Sequence, residues 1–304
     1  MERDMNDRQF ALILLAALAV GYAPGARAQG SAPDDPATRI EWIAAGTTVK
    51  IGSVATLTVP AQCRFTGPAG SLLFDESNQN LPNEESLGIL LCDINPADNP
   101  EARVWYAQYS FSEDGYIKDA ATEKLDADAI LAVVKEATAA GNEERKKRGW
   151  GRMEVLGWAH VPHYDPATNN ATWSIRGQDE TGDVGINHRV RLLGRRGVLA
   201  VNMIAATEDY DDAVAQFNGS IAATAFIGGE TYAEFREGDK IAQYGLTALI
   251  AGGAGAAAMK LGLFGKLWKL IAAFGKVIVV AVLAIGAKIV NVFRKRTTSV
   301  ASAD

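Results

Sequence analysis

Residues 153–176 read Met-Glu-Val-Leu-Gly-Trp-Ala-His-Val-Pro-His-Tyr-Asp-Pro-Ala-Thr-Asn-Asn-Ala-Thr-Trp-Ser-Ile-Arg, and the turn at their centre decides the fold. Two β-rich runs, Met153 to His160 and Ala171 to Arg176, flank Asp165-Pro166-Ala167-Thr168-Asn169-Asn170, a composition that reverses an extended chain. The same grammar recurs downstream, where Gly194-Arg195-Arg196-Gly197 joins Arg189 to Leu193 with Val198 to Ala205. Successive hairpins predict an antiparallel sheet.

Upstream, Thr47 to Val59 alternates in part and ends at Pro60, which predicts one or two short strands. Leu87 to Cys92 and Arg103 to Phe111 read as two more, with a turn at Asn95 to Pro100 between them, so this part is a β-meander. Leu125 to Arg148 places Ile130, Val133, Val134 and Ala137 at helical spacing. Asp126 and Asp128 near its start and Arg145 to Arg148 near its end complement the helix dipole, so the basic run is a solvated terminus or, more sharply, a headgroup-binding patch. Tyr210 to Ala222 is a second amphipathic helix, and Ala223 to Ile227 a closing strand. Together these predict an α+β fold over residues 40–238, an antiparallel sheet domain with packed helices on one face.

The flanks read differently. Phe10 to Val20 is an apolar run too short to span a bilayer, and it leads to the small-residue triplet Ala26-Arg27-Ala28, so residues 1–28 are expected to be a signal peptide. Glu2, Asp4 and Asp7 outnumber Arg3 and Arg8 ahead of the run, a departure from the usual positive start. Residues 29–39, with Pro33, Asp34, Asp35 and Pro36, form a polar linker. Residues 239–296 are expected to be a membrane anchor with transmembrane helices. It comprises the uncharged run Ile241 to Met259, an amphipathic segment over 261–274 with Lys266 and Lys269 on one face, and the most apolar piece, 277–293, interrupted only by Lys288; residues 297–304 are a tail. Segment lengths suit a two-crossing hairpin, whereas the Arg294-Lys295-Arg296 cluster suits a single crossing. Gly252, Gly253 and Gly255 suit close packing against a membrane-protein partner or a second copy of the chain.

Charge follows the same division. The chain carries 30 basic and 36 acidic residues, net −6. Residues from Lys240 onward sum to +8 and residues 1–28 to zero, so residues 29–239 carry −14. An acidic body on a basic tail is what the positive-inside rule expects of an exported body, and the bilayer is then a partner. The same acidity excludes a phosphate backbone, so no nucleic-acid partner is expected.

Chemical candidates are few. His160, His163 and Asp165 lie within six residues around Pro162, beside Trp158 and Tyr164, and imidazoles with a carboxylate can share a metal. Yet His160 and His163, three apart on an extended strand, point to opposite faces, and a strand end whose His and Tyr cap a hairpin accounts for the same residues. No metal or cofactor is therefore assigned. His188 begins the second hairpin and can approach them within a sheet. There is no nucleophile elbow and no phosphate-binding Gly loop, and Glu84-Glu85 and Asp211-Asp212 read as exposed charges. Cys63 and Cys92 are expected to pair in an exported domain, without the spacing of a redox motif. Trp150, Trp158 and Trp173 pack on the sheet or form an aromatic ligand face.

The run Gly157-Trp158-Ala159-His160-Val161-Pro162-His163-Tyr164-Asp165 is followed by Leu193-Gly194-Arg195-Arg196-Gly197-Val198-Leu199, then by Thr231-Tyr232-Ala233-Glu234-Phe235. Asp239-Lys240-Ile241-Ala242-Gln243-Tyr244-Gly245-Leu246 and Gly252-Gly253 complete the series. In this order they resemble the bacterial membrane-anchored proteins of the DUF2167 family, over about residues 40–290. The resemblance implies a signal peptide, an exported domain and C-terminal hydrophobic helices, and brings no established activity. The expected location is the bacterial inner membrane with the main domain on the periplasmic side. The expected function is a non-enzymatic binding, scaffolding or stress-response module. The alternatives are a membrane-tethered metal-dependent hydrolase using His160, His163 and Asp165, and a subunit of a membrane complex.

Overall fold

The computed structural model describes residues 35–94, 103–118 and 120–252. The expected signal peptide, the predicted turn at Asn95 to Pro100, the segments 261–274 and 277–293 and the tail lie outside the described residues, as does most of the expected linker. The linker's last residues form a short 3-10 turn, Pro36–Arg39, whose preceding Asp35 accepts from the Ala37 amide at 2.9 Å.

The small strands β1 (Ile43–Ala44), β2 (Thr48–Ile51), β3 (Ala55–Thr58) and β4 (Cys63–Thr66) lead into helix α1 (Pro68–Ser77). Strands β5 (Ser86–Asp93) and β6 (Val104–Ser112) precede the long helix α2 (Ala127–Lys147). Two hairpins follow, β7 (Met153–Asp165) with β8 (Asn170–Asp179) and β9 (Val184–Leu193) with β10 (Val198–Ala206), then helix α3 (Tyr210–Ala222), strand β11 (Thr224–Phe226) and helix α4 (Leu246–Ala251). Eight strands form one antiparallel sheet in the order β1-β4-β5-β6-β10-β9-β8-β7, and β11-β3-β2 form a second, small one.

Side chains alternate across the large sheet and so divide into two layers. Phe65, Leu90, Trp105, Tyr109, Val190, Val201 and Met203 meet Phe217 of α3, the small sheet's Ile51 and Leu57, and Val59 just after it. Val155, Trp173, Ile175 and Leu193 point the other way, against Ile130 and Val134 of α2 and Leu246, Leu249 and Ile250 of α4. Beside them α1 sets Phe74 on Ile89 and Leu91. Helices thus cover both faces, α1, α2 and α4 on one and α3 on the other, which corrects the expectation of helices on one face. The reason is that β5 to β10 bury apolar groups at odd and even positions alike, so each face needs a cover. Trp105, Trp173 and Phe217 are fully buried, each worth on the order of 2–3 kcal/mol of apolar transfer.

The boundary of the domain also moves. Ile241 bridges Tyr116, and Leu246, Leu249, Ile250 and Ala251 are buried in the α2 layer, so residues 239–251 belong to the domain and not to the anchor. The carboxylate of Glu123 accepts from the first amides of α4, and the helix ends at Gly252, whose φ of +134° suits glycine. Only residues 252–259 of the uncharged run lie beyond it, about 12 Å of helix, against the roughly 30 Å of a hydrocarbon core. Residues 246–251, part of the run read as the first crossing of the hairpin, thus sit in the protein core. Among the described residues no helix is long and apolar enough to cross a membrane.

Candidate functional site

Strand β7 has thirteen residues against the ten of β8, and the surplus is taken up by irregularities between Val155 and Gly157, Trp158 and His160, and His160 and His163. Each surplus residue flips the alternation. Trp158 pairs with Ile175 on the α2 face, whereas His160, two residues on, pairs with Ser174 on the α3 face. The next irregularity pairs His163 with Thr172, the same face of β8 as Ser174. A regular strand would have sent His160 and His163 to opposite faces; the extra residue corrects that expectation.

His160 reaches a buried cluster. Ser174 Oγ lies 2.8 Å from His188 Nδ1 and 2.8 Å from the Tyr210 hydroxyl, which is 2.9 Å from His188 Nδ1 and 3.2 Å from His160 Nδ1. Strands β8 and β9 supply Ser174 and His188 as a register pair, α3 lowers Tyr210 onto them, and β7 brings His160. Phe217 stands edge-on to the His188 ring at 5.4 Å. Burial, with His160 nearby, pushes the His188 ring down to about 4, so it is neutral at physiological pH. Burial pushes the Tyr210 hydroxyl up. A neutral imidazole beside a serine suggests an activated nucleophile, but Ser174 has no exposed surface and its hydroxyl is spent inside the cluster. The arrangement is a satisfied polar core whose one exposed member is His160.

The other sequence candidates separate. Trp158 donates its indole N–H to the Ala127 carbonyl at 3.2 Å and packs in the α2 layer. Tyr164 donates to Asn169 Oδ1 at 3.1 Å. Asp165 accepts from the Ala167 amide at 2.9 Å and the Thr168 hydroxyl at 2.8 Å, bonds that hold its carboxyl below the usual range. Tyr164 and Asp165 thus tie the β7–β8 loop, and His163 is exposed. Among the described residues no three His, Cys, Asp or Glu are grouped to hold a metal ion. Cys63 and Cys92 do pair: they are register partners on β4 and β5 and form a disulfide. Of the tryptophans, Trp173 is core, and Trp150 lies under the guanidinium groups of Arg145 and Arg148 at 5.8 and 5.2 Å. Sequence reasoning missed Tyr210 and Ser174, for which the spacing of local residues carries no signal.

The remaining motif residues converge on one structural latch. Arg195, at the β9–β10 tip, makes a two-pronged pair with Asp239 at 2.7 Å on both oxygens, and Arg196 pairs with Glu230. That pairing holds the Asp239 carboxyl down, to about 2. Glu234 accepts from the Gly229 and Thr231 amides, and Tyr116 stacks on Tyr232 and Phe235 at 4.3 Å each. The latch fixes the chain that delivers α4.

Comparison with known proteins adds a family. A family model described as "Protein of unknown function (DUF2167)" matches residues 44–286. No curated protein matches the chain. The solution structure of cyanobacterial PsbP (CyanoP) from Synechocystis sp. PCC 6803 is 9% identical with a TM-score of 0.35, covering 61% of this chain and 95% of that one. A protein of unknown function from Pseudomonas aeruginosa, PA94, is 12% identical with a TM-score of 0.25, covering 59% and 94%. An immunity protein of the Stenotrophomonas maltophilia type IV secretion system, Smlt3025, is 12% identical with a TM-score of 0.24, covering 60% and 95%. Likenesses this distant carry no argument about what this chain does.

Proposed function

This chain belongs to the DUF2167 family, and from that premise we propose that it is a non-enzymatic envelope protein whose acidic α+β domain is exported and tethered to the bacterial inner membrane, where it binds a ligand or partner. The observation that carries the reading is the Cys63–Cys92 disulfide. A disulfide closed across two register partners persists in an oxidising compartment and is rare in the cytosol. The acidic body and basic C-terminal residues agree in sign with export of the body. With residues up to Ala251 placed in the domain, the tether falls to the apolar stretch 277–293 as a single crossing, and Arg294 to Arg296 stay in the cytoplasm. Binding in place of turnover is supported by the burial of Ser174 and His188, which leaves no nucleophile–base pair that a substrate reaches in the described cluster. A homo-oligomer or membrane-protein partner through the Gly252, Gly253 and Gly255 region extends the same reading.

Reporter fusions test it. Alkaline phosphatase fused after residue 252 is expected to be active and a fluorescent protein fused after residue 304 to fluoresce. Fluorescence of the fusion after residue 252 would refute export. The metal-dependent alternative is tested by metal analysis of the purified chain: stoichiometric zinc, lost in a His163→Ala variant, would overturn the non-enzymatic reading.

A further inference from the structure

The α1/α2 face of the large sheet carries polar side chains across its centre. Register places Gln108, Asn202, Arg189 and Trp173 on one line over β6, β10, β9 and β8, and Ser110, Ala200, Arg191 and Ala171 on the next. Gln108 is occupied, donating to Asp75 at 3.0 Å and accepting from Asn83 at 3.3 Å. Arg191 is different. Its Nη1 donates to Asn202 Oδ1 at 2.9 Å and to the Val190 carbonyl at 3.1 Å, and its guanidinium carbon stands 4.9 Å from the centre of the Trp173 ring.

Among the described residues, Arg191 Nε and Nη2 have no acceptor, and no carboxylate lies within ion-pairing distance of the group. The indole N–H of the fully buried Trp173 also lacks an acceptor. Burial, deepened by the adjacent Arg189 charge, pushes the Arg191 guanidinium down to about 9. A partly desolvated guanidinium without a counter-charge, its free Nε and Nη2 still reached by solvent, is disposed to pair with an arriving anion. Beside Arg191 the neighbouring strands raise only the methyl groups of Ala200 and Ala171, and Tyr244 comes near the guanidinium from the chain packed on this layer. The side chain is half-buried and keeps a solvent-facing part.

We propose that Arg191 anchors an oxyanion-binding site on this face, taking a carboxylate or phosphate group side-on through Nε and Nη2, with Asn202 and Trp173 fixing the plane of the guanidinium. A planar fork matches two oxygens of one acid group better than a single halide. The proposal gives the binding reading a ligand class and rests on that reading for its role in the cell. The two fail separately: a chain that binds oxyanions but is not exported keeps this site and loses the envelope role.

Calorimetric titration of the purified full chain with sodium phosphate and, separately, sodium succinate, at constant ionic strength against sodium chloride, tests it. Saturable one-to-one binding of one of the two is expected, and which one saturates distinguishes a phosphate from a carboxylate ligand. Affinity should fall at least tenfold in Arg191→Gln and in Ala200→Leu, the second of which keeps the cation and fills the space beside it. Circular dichroism reports whether each variant folds, and if Arg191→Gln does not, Ala200→Leu decides alone. No saturable binding of either anion to the wild-type chain, or wild-type affinity in a folded variant, which marks an adventitious ion only, overturns the proposal.

Discussion

Replacing Asp75 with asparagine should raise stability at neutral pH and leave it unchanged in acid. Asp75 is on the buried side of α1 with its carboxylate accepting from Gln108 Nε2 at 3.0 Å and Asn80 Nδ2 at 3.4 Å. Those bonds do not offset the loss of water, and burial pushes the carboxyl from 3.8 up to about 7. The folded chain therefore holds this proton more tightly than the unfolded chain, so the group's contribution is full below pH 4 and is lost as pH rises from 4 to 7. At about 1.4 kcal/mol per pKa unit the loss is on the order of 4 kcal/mol. His188 works in the opposite sense: its ring, pushed from 6.5 to about 4, favours the fold above pH 6.5 and loses on the order of 3 kcal/mol as pH falls to 4. Between pH 4.5 and 6.5 the two slopes nearly cancel, so the wild-type chain alone is uninformative and the variants separate them. Urea unfolding of the full chain at pH 4.5, 5.5, 6.5 and 7.5 is the assay. Relative to wild type, Asp75→Asn should gain only about 1 kcal/mol at pH 4.5 and on the order of 4 kcal/mol by pH 7.5. The neutral amide can also donate to Asn80 Oδ1, a buried acceptor without a partner, once the Asn80 amide turns. In His188→Asn the loss against wild type should grow from pH 4.5 to 6.5. An Asp75→Asn advantage that is constant with pH would refute the reasoning.

Three further outcomes follow from the packing. Cys63→Ser with Cys92→Ser removes a bond between residues 29 apart in sequence, and urea unfolding should show a loss of about 3–4 kcal/mol that dithiothreitol reproduces in the wild-type chain. Gly197→Ala sets a Cβ 1.9 Å from the Ser112 carbonyl oxygen and should cost about 2–3 kcal/mol, whereas Gly149→Ala, with open space but a φ of +72°, should cost about 1 kcal/mol; thermal unfolding of the pair ranks them. Asp239→Asn breaks the two-pronged Arg195 pair, and limited proteolysis should then cut within residues 228–245 faster than in wild type, with CD showing the sheet intact. Because Asp239 is held at about 2, the latch it forms contributes fully above pH 4 and weakens as pH falls through 2.

Local pattern fixed more of this protein than its chemistry. Helix α3 spans Tyr210–Ala222, the bounds that its apolar spacing predicts, and the β7–β8 and β9–β10 reversals fall where turn residues cluster. The pairing of Cys63 with Cys92 and the strands β5 and β6 were equally legible, whereas β4 was not, and β2 and β3, read as part of the same meander, form the small sheet with β11. Helix α1 was not, because it buries Gly70, Ser71 and Asp75 along with Phe74, a set without an apolar stripe. The domain boundary was misplaced because the apolar residues of 246–251 suit a protein core and a bilayer equally, and hydropathy does not distinguish the two solvents.

What the sequence determined by itself is therefore the strands β5 to β10, helices α2 and α3, the antiparallel class and the division of charge, all of which depend on neighbours a few residues apart. Tertiary structure decided which way each side chain faces. On β9, His188 and Val190 alternate with Arg189 and Arg191, and either set makes a plausible interior; the pairing of β9 with β8 and β10 put cover on both, burying His188 beside Tyr210 and setting Arg191 over Trp173. One surplus residue in β7 turned His160 toward that cluster. Contacts between residues 14 to 50 positions apart are set by strand register and sheet order, and a single added residue inverts them without changing the local pattern from which a strand is read.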